Sequence, residues 1–410
     1  MWSSISPSLT AEQQQQIVDE AAKTLSEGLK LAEIVDVDAL GPRATSAVGS
    51  ALARLRMTAP REQQASLAES VMGRVGGLGF FLPLLRRNDI CEITVNPDAS
   101  LWVLRKDKRD FERVRENLDR TEVWRAVEAL LRPTGRSVNE AVPSVNAKLP
   151  RVDTLPALRG GARLKVLHPT VVTGRFELPS VNIRLFEPEP VRPEKLIEWG
   201  MAPEKVIHKL IEFVAREARI LTFGGTVSGK TTLTSALCSG IPKTARVVKV
   251  EDPEEIWIDH PHVITLEARE AIPGTSVMPY TLKNGVDDAM RMSPRWLIVG
   301  EVRSGDAAAA LFRAQMSDHP GLSTFHAENP EALIERLALI MFVDEKITAA
   351  GAKGLFVQAV DLVIQVGWVE HNRRGLVGVW QVNKTLKAGE VQFSPLYRCG
   401  DADILEFKGR

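Results

Sequence analysis

Eight residues near the middle of the chain, Gly224 to Thr231, read GGTVSGKT and fit the pattern G-x-x-x-x-G-K-[S/T]. An apolar run, Ile220 to Phe223, precedes them, and a helix-forming run, Thr231 to Cys238, follows. Strand, glycine loop and helix in this order predict a phosphate-binding loop, because successive backbone N–H groups and the positive end of a helix attract anions. The alternative is a glycine-rich connection that binds nothing, and the match at eight positions and both flanks disfavours it.

The residue types of this loop fit a triphosphate bound together with Mg²⁺. Lys230 supplies a mobile ammonium for the β- and γ-phosphate oxygens, and Thr231 supplies a hydroxyl ligand for the metal. We therefore expect contacts with the nucleotide from the loop and the position after it, namely from Gly224, Gly225, Thr226, Val227, Ser228, Gly229, Lys230, Thr231 and Thr232.

Composition predicts a folded protein without a net electrostatic field. The chain has 410 residues, 44% of them hydrophobic, and 52 basic residues balance 52 acidic ones. Two or three domains are expected at this length, and the balanced charge does not favour nucleic acid or an anionic membrane. The three cysteines contain no C-x-x-C pair, which argues against a disulfide framework or a cysteine zinc site. This cysteine usage favours a reducing cytoplasm. No signal-peptide pattern and no stretch of roughly 18 apolar residues is present, so we expect any work at a membrane to go through a partner or a surface face.

Changes in pattern along the chain predict its domain organisation. Residues 1–77 carry apolar positions at helical spacing and predict a helical extension. Residues 78–187 mix strand and helix patterns and predict a small α+β domain. The Pro- and Glu-rich stretch at 188–198 predicts a linker, since its prolines cannot pair in a central sheet. Residues 199–410 alternate between strand and helix patterns, which predicts an α/β domain with a mostly parallel sheet.

Two carboxylates follow buried strands downstream of the loop. The apolar strand Trp296 to Val299 leads to Glu301, which can polarise an attacking water or hold the hydration shell of Mg²⁺, unless it only pairs with Arg303. The strand at 247–250 runs into Glu251, at the edge of the sheet where ligands bind, although a solvated acidic loop is the alternative.

Two histidines, His319 and His326, flank a strand-forming segment further along the chain. A lone histidine in such a place is more often a core or surface group than a catalytic one. No two histidines have metal-ligand spacing on one helix face, so we predict no structural zinc.

These segments, in this order, resemble those of the type II/type IV secretion-system ATPase superfamily. The sequence at 251–253, Glu-Asp-Pro, is similar to the family's Asp box, and residues 291–303, with Gly-Glu at 300–301, to its Walker B segment. The sequence at 319–327 is similar to its His box. Upstream, residues 78–96 resemble the start of the family's N-terminal domain, and Asn-Ile-Arg at 182–184 its last strand.

The resemblance implies a C-terminal RecA-like P-loop ATPase domain behind a smaller N-terminal domain, with ATP and Mg²⁺ as cofactors. Glu301 is then the catalytic carboxylate, with Arg303 beside it, and Glu251 assists the water or the metal. His319 and His326 link the γ-phosphate to domain motion.

The resemblance also implies a ring of six identical subunits with nucleotide between the two domains of each. An arginine of the N-terminal domain then closes over the phosphates, and Arg163 and Arg184 are the candidates, unless both only solvate a sheet edge. The missing four-cysteine zinc insertion points to conjugation-like type IV secretion or tight-adherence pilus systems. The implied partners are inner-membrane components of such a machine, which would hold the protein peripherally at the inner membrane. No direct sequence-specific nucleic-acid binding is expected.

Val227 departs from the family pattern, which usually has glycine at this position of the loop. The position tends to need a positive φ, which a branched residue reaches only at a cost of about 1–3 kcal/mol. Two functions besides an active motor stay open. One is a nucleotide-binding ring scaffold with weak hydrolysis because of Val227. The other is a nucleic-acid motor of the same fold, which the balanced charge and the His box disfavour.

Overall fold

A computed structural model provides the structure of the chain, which divides into two compact units, Met1–Pro188 and Glu189–Arg410. The structure describes residues 9–26, 33, 37–106, 108–173, 177–187, 189–271, 276–370 and 373–407.

The first unit combines helices with a six-stranded antiparallel sheet, in the strand order β3-β2-β1-β6-β5-β4. Its helices are α1 (Ala11–Ser26), α2 (Val37–Leu55), α3 (Arg61–Val75), α4 (Phe81–Leu85) and α5 (Arg120–Leu131). Its strands are β1 (Ile90–Val95), β2 (Leu101–Arg105), β3 (Glu112–Arg115), β4 (Ser144–Leu149), β5 (Ala162–Leu167) and β6 (Ser180–Leu185).

The helices and the sheet of the first unit share one hydrophobic core. Ile17, Val48 and Val71, from α1, α2 and α3, are fully buried in the same cluster as Phe81 and Ile183. Along β5 and β6 buried and half-exposed residues alternate, so one face of the sheet packs into this core and the other remains accessible. The segments predicted as a helical extension (1–77) and as an α+β domain (78–187) thus form their core together.

The second unit has an eight-stranded sheet in the order β14-β13-β12-β7-β11-β10-β8-β9. Pairing is parallel from β12 to β9 and antiparallel at the β12-β13-β14 edge. Its helices are α6 (Pro193–Glu198), α7 (Glu204–Ala215), α8 (Lys230–Leu237), α9 (Leu282–Ala289), α10 (Gly305–Met316), α11 (Pro330–Glu345) and α12 (Ala349–Ala359). Its strands are β7 (Arg219–Gly224), β8 (Val247–Glu251), β9 (Val263–Glu267), β10 (Trp296–Val302), β11 (Gly321–His326), β12 (Leu362–Glu370), β13 (Arg373–Val382) and β14 (Phe393–Arg398).

Helices cover both faces of this sheet, which explains why its central strands are largely apolar and buried. Every residue of β7 and of β8 is buried. Ile220 and Leu221, neighbours in β7, belong to separate hydrophobic clusters because successive side chains of a strand point to opposite faces. The cluster of Ile220 includes α7 and α8, and the cluster of Leu221 includes α9 to α12.

The structure differs from the linker prediction for residues 188–198, because α6 begins within them at Pro193. Proline has the φ of a helix and its missing N–H is no loss in the first turn, so it can begin a helix although it cannot pair in a central sheet. Leu196, on the same helix, is fully buried in the core of the second unit.

A buried ion pair aligns the starts of β7 and β12. Arg219 Nη2 lies 2.6 Å from Asp361 Oδ1, and both residues are 3% exposed. Lys384 Nζ lies 2.7 Å from the same carboxylate oxygen. Burial alone would raise the pKa of Asp361, but Arg219 and Lys384 outweigh it, so the pKa lies below its usual value. This pair fixes the strand that precedes the glycine loop against its neighbour.

Candidate functional site

The glycine loop joins the end of β7 to the first turn of α8. Gly224 is the last residue of β7, and Gly229 caps the N-terminus of α8 with a φ of 97°. A Cβ on Gly224 would lie 2.2 Å from the carbonyl oxygen of Val366, so only glycine fits there. The strand, loop and helix therefore stand in the arrangement that a phosphate-binding loop requires.

Val227 has a left-handed backbone conformation within this loop, with a φ of 58°. The sequence predicts a positive φ at this position, and the structure agrees. A β-branched residue in this region costs about 1–3 kcal/mol, which glycine would avoid. The strained residue thus lies between the glycines whose backbone surrounds the phosphate site.

The ammonium of Lys230 bonds to the loop and faces a carboxylate from a different strand. Its Nζ donates to the carbonyl oxygens of Gly225 at 2.8 Å and Gly224 at 3.1 Å. The same Nζ lies 3.8 Å from Glu301 Oε1. Lys230 is 8% exposed, so this charge pair is only weakly screened by water.

Glu301 is placed at the loop by an irregularity in β10. The pairing of β10 with β11 shifts between Val299 and Glu301, so Gly300 is an extra residue in the ladder, as in a β-bulge. Burial alone would raise the pKa of Glu301, but Arg303, Lys230 and His326 outweigh it and the pKa is lowered. Glu301 is therefore ionised at neutral pH. The ion pair with Arg303 is also present, with Nε donating to Glu301 Oε2 at 2.6 Å.

His326 is the last residue of β11 and lies directly opposite Gly224 of β7 in the parallel register. Burial lowers the pKa of His326, and the nearby cations Lys230 and Arg336 lower it further, against the opposing effect of Glu301. The imidazole is therefore neutral at neutral pH, with one nitrogen able to donate a hydrogen bond and the other able to accept one.

Glu251 lies beside this group, but its carboxylate is occupied by protein groups. It is 1% exposed, and its Oε2 accepts hydrogen bonds from the N–H groups of Glu255 at 2.9 Å and Ile256 at 2.8 Å. Its Oε1 lies 2.9 Å from Lys249 Nζ. The two backbone hydrogen bonds fold the segment after β8 back onto the strand, and the contact of Glu251 with water or metal stays a prediction.

Gly300 permits the two carboxylate-bearing strands to approach at this point. A Cβ on Gly300 would lie 3.1 Å from Cγ of Glu251, tighter than an ordinary contact. The Gly-Glu pair at 300–301 therefore combines a close packing site with the carboxylate that faces Lys230.

The structure does not bring His319 to this edge of the sheet. His319 precedes β11, whereas His326 ends it, and β11 runs parallel to β7 with its end at the loop. The six-residue strand separates the two histidines by about 20 Å at the usual rise per residue.

Arg163 and Arg184 belong to the first unit, where they are cross-strand partners on β5 and β6 on its half-exposed sheet face. Their contact with phosphates stays a prediction.

Thr231 and Thr232 lie half-buried in the first turn of α8. A hydroxyl and a carboxylate are hard oxygen ligands, so Thr231 and Glu301 suit Mg²⁺ by donor type. Within the described ranges no group of three or more His, Cys, Asp or Glu side chains could hold a metal by itself. A magnesium ion here would therefore need phosphate oxygens from the nucleotide to complete its shell.

Lys249 belongs to the site's surroundings, and sequence reasoning missed it. It is buried, lies 2.9 Å from both Glu251 Oε1 and Glu254 Oε1, and donates to the carbonyl oxygen of Ile256. The available signal was a lysine in an otherwise apolar strand, two residues before Glu251 and hence on the same face.

Fold and site together define a P-loop protein. Its Gly-Glu pair and His326 lie at the ends of β10 and β11, at the edge of the sheet that carries the glycine loop. The chain belongs to the Type II/IV secretion system protein family, whose model matches residues 79–369. The family match confirms the superfamily resemblance.

An uncharacterised protein of Methanocaldococcus jannaschii is 36% identical over 203 residues, which are 50% of this chain but only 34% of that protein. A putative conjugal transfer protein of Mycobacterium tuberculosis is 28% identical over 314 residues, covering 74% of this chain and 84% of that one. The X-ray structure of the Legionella pneumophila ATPase DotB has a TM-score of 0.52 at 19% identity, covering 73% of this chain and 79% of that chain. This likeness supports the predicted fold class, in which a RecA-like domain follows an N-terminal domain along the chain.

Because Lys249 and Glu251 form a buried pair, we predict that removing Lys249 makes stability depend more strongly on pH. In Lys249→Met, Glu251 loses its cation, and the pKa of this carboxyl, already raised by burial, rises further. The folded state then binds the proton more tightly than the unfolded state, so the variant loses stability as pH rises above about 4.5, the usual carboxyl value. We expect a loss of about 3–5 kcal/mol near pH 8 and a much smaller one near pH 5.

Thermal unfolding of the full chain at both pH values measures this difference, with the exposed Lys205→Met as the matched control. A loss of stability that is the same at both pH values would show that Glu251 is not the group responsible.

Proposed function

We propose that this chain hydrolyses ATP and powers or licenses transport in a type IV secretion, conjugation or pilus assembly machine. The observation that carries the proposal is the approach of Lys230 Nζ to Glu301 Oε1, 3.8 Å apart at the mouth of the glycine loop. Family membership and the similarity to a putative conjugal transfer protein support the assignment to transport.

The arrangement suits phosphoryl transfer to water, which needs charge neutralisation and an oriented nucleophile more than covalent chemistry. The loop amides and Lys230 would bind the β- and γ-phosphates. Glu301, ionised at neutral pH, would accept a hydrogen bond from the attacking water and orient it. Thr231 would hold Mg²⁺, which neutralises charge on the phosphate oxygens when bound. His326, neutral and opposite Gly224, would hydrogen-bond near the γ-phosphate and respond to its loss.

Glu301→Gln tests this assignment. The amide keeps the shape of the side chain but cannot act as a base, so we expect ATP turnover to fall by about a hundredfold or more while ATP binding is retained. Phosphate release and equilibrium binding of ATP are measured side by side, with Glu335→Gln on the exposed face of α11 as the control. Normal turnover in Glu301→Gln would remove this carboxylate from the reaction.

A nucleotide-binding scaffold with weak hydrolysis is the second candidate function. The observation in its favour is the φ of 58° at Val227, since a strained loop can hold its N–H groups out of line with the developing charge. In this case the chain would bind ATP as a ring component and turn it over slowly.

Val227→Gly distinguishes the two functions. Glycine relieves strain of about 1–3 kcal/mol, so a scaffold limited by this residue should gain at least several-fold in turnover or nucleotide affinity. Steady-state phosphate release and nucleotide titration measure both quantities, and Val227→Ala, which keeps a Cβ, is the matched control. If glycine changes neither quantity, Val227 does not limit the reaction and the scaffold loses its support.

We also propose that six copies form a ring in which Arg163 or Arg184 closes over the phosphates, and that inner-membrane components bind it on the cytoplasmic side. No helix in the described parts of the chain is long and apolar enough to cross a bilayer. Co-purification from the native host would identify the inner-membrane proteins that bind the chain, and so which of the candidate machines it belongs to. For His319, which precedes β11, the link to domain motion rests on the family resemblance alone.

A further inference from the structure

The hairpin of β12 and β13 extends beyond the edge of the sheet at which the glycine loop begins. β12 pairs with β7 only as far as Gln365, opposite Phe223, whereas the strand continues to Glu370. Trp368 and Arg374 are cross-strand partners in this overhanging part. Ligands of open parallel sheets bind outside the carboxyl ends of the strands, so the overhang borders the nucleotide site.

Three segments of the second unit meet beside Gly229 of the loop. A Cβ on Gly229 would lie 3.6 Å from Cε of Met201 and 3.9 Å from Cδ of Arg374. The carbonyl oxygen of Met201 accepts a hydrogen bond from the N–H of Leu376 at 2.8 Å. A Cβ on Gly375 would lie 3.3 Å from the same oxygen, so glycine at this position allows the hairpin to approach. The hairpin is thus bonded to the segment of Met201, whose side chain lies beside Gly229.

The guanidinium of Arg374 is held over the indole of Trp368. Its central carbon lies 5.1 Å from the ring centroid, within the range of a cation–π contact. This contact helps to hold a long side chain in one orientation, so less entropy is lost when it meets a ligand. A fixed, planar cation therefore stands next to the glycine that caps α8.

This cation lies on the flank of the loop away from the γ-phosphate chemistry. β7 has β11 on one side, followed by β10, and these strands carry His326 and Glu301. β12 pairs with the other side of β7. A nucleotide whose γ-phosphate lies beside Lys230 and faces Glu301 would direct its nucleoside end toward the opposite flank.

We propose that Arg374, held on Trp368, binds the nucleoside monophosphate part of the nucleotide, which ATP and ADP share. The inference rests on the proposed nucleotide binding and adds a contact at the end remote from hydrolysis. Arg374 donates hydrogen bonds to the α-phosphate or the ribose, or offers the face of its guanidinium to the base. All three contacts can form equally with ATP and with ADP.

Equilibrium titration of the full chain with fluorescent ADP and with a non-hydrolysable ATP analogue tests the proposal. Arg374→Met keeps an apolar stem beside Gly229 but removes the charge and the plane. We expect it to weaken both ligands by a similar factor of about ten, the usual effect of losing a hydrogen bond from a charged group. Arg374→Lys should recover part of the affinity. Arg398→Ala, an exposed arginine on the neighbouring β14, should bind like the wild type.

Melting temperatures of all variants show whether each is folded, and Trp368→Leu provides a second route by removing the platform of Arg374. Unchanged affinity for ADP in both folded Arg374 variants would overturn the proposal. So would a loss confined to the ATP analogue, since it would place Arg374 at the γ-phosphate. Failure of the wild type to bind either nucleotide would instead refute the proposed function from which the inference begins.

Discussion

Parallel pairing of β7, β11 and β10 is the constraint on which the site depends. Gly224, His326 and Glu301 lie at the same end of adjacent strands because the register of these strands matches residue to residue until Gly300 interrupts it. The buried pair of Arg219 and Asp361 fixes the opposite end of β7 against β12. Sheet geometry therefore gathers groups that are widely separated in sequence, and no single motif contains the site.

Two carboxylates at neighbouring strand ends have opposite environments. Burial raises the pKa of Glu251, whose oxygens are taken by Lys249 and two backbone amides. The pKa of Glu301 is lowered, with Arg303, Lys230 and His326 around it. Pairs of carboxyl groups whose pKa values are pushed apart commonly divide their roles. Here the division is between a carboxylate that holds a segment in place and one that faces the phosphate loop.

The sequence predicted those parts of the fold and site that follow from local pattern. The α/β class and the strand–loop–helix at 224–231 follow from apolar runs and glycine spacing, and so does the position of Glu301 near the end of a buried strand. The His box was less informative, because His319 precedes β11 whereas His326 ends it, and only His326 reaches the loop. The sequence of a motif does not by itself indicate which of its residues lie at the loop end of a strand.

Other features could not be predicted because they depend on tertiary contacts. Lys249 acquires its role from the chain turning back after β8, and Arg374 from the length by which β12 exceeds β7. Helix α6 falls in a Pro-rich stretch that predicts a linker, whereas the burial of Leu196 stabilises a helix there.

The most direct measurement of the central claim is a crystal structure of the chain with Mg²⁺ and a non-hydrolysable ATP analogue. We expect triphosphate oxygens bonded to the amides of residues 224–231 and to Lys230 Nζ, with the carboxylate of Glu301 facing the γ-phosphate. An empty loop, or a nucleotide bound elsewhere with Glu301 directed away from it, would show that this edge of the sheet is not the nucleotide site.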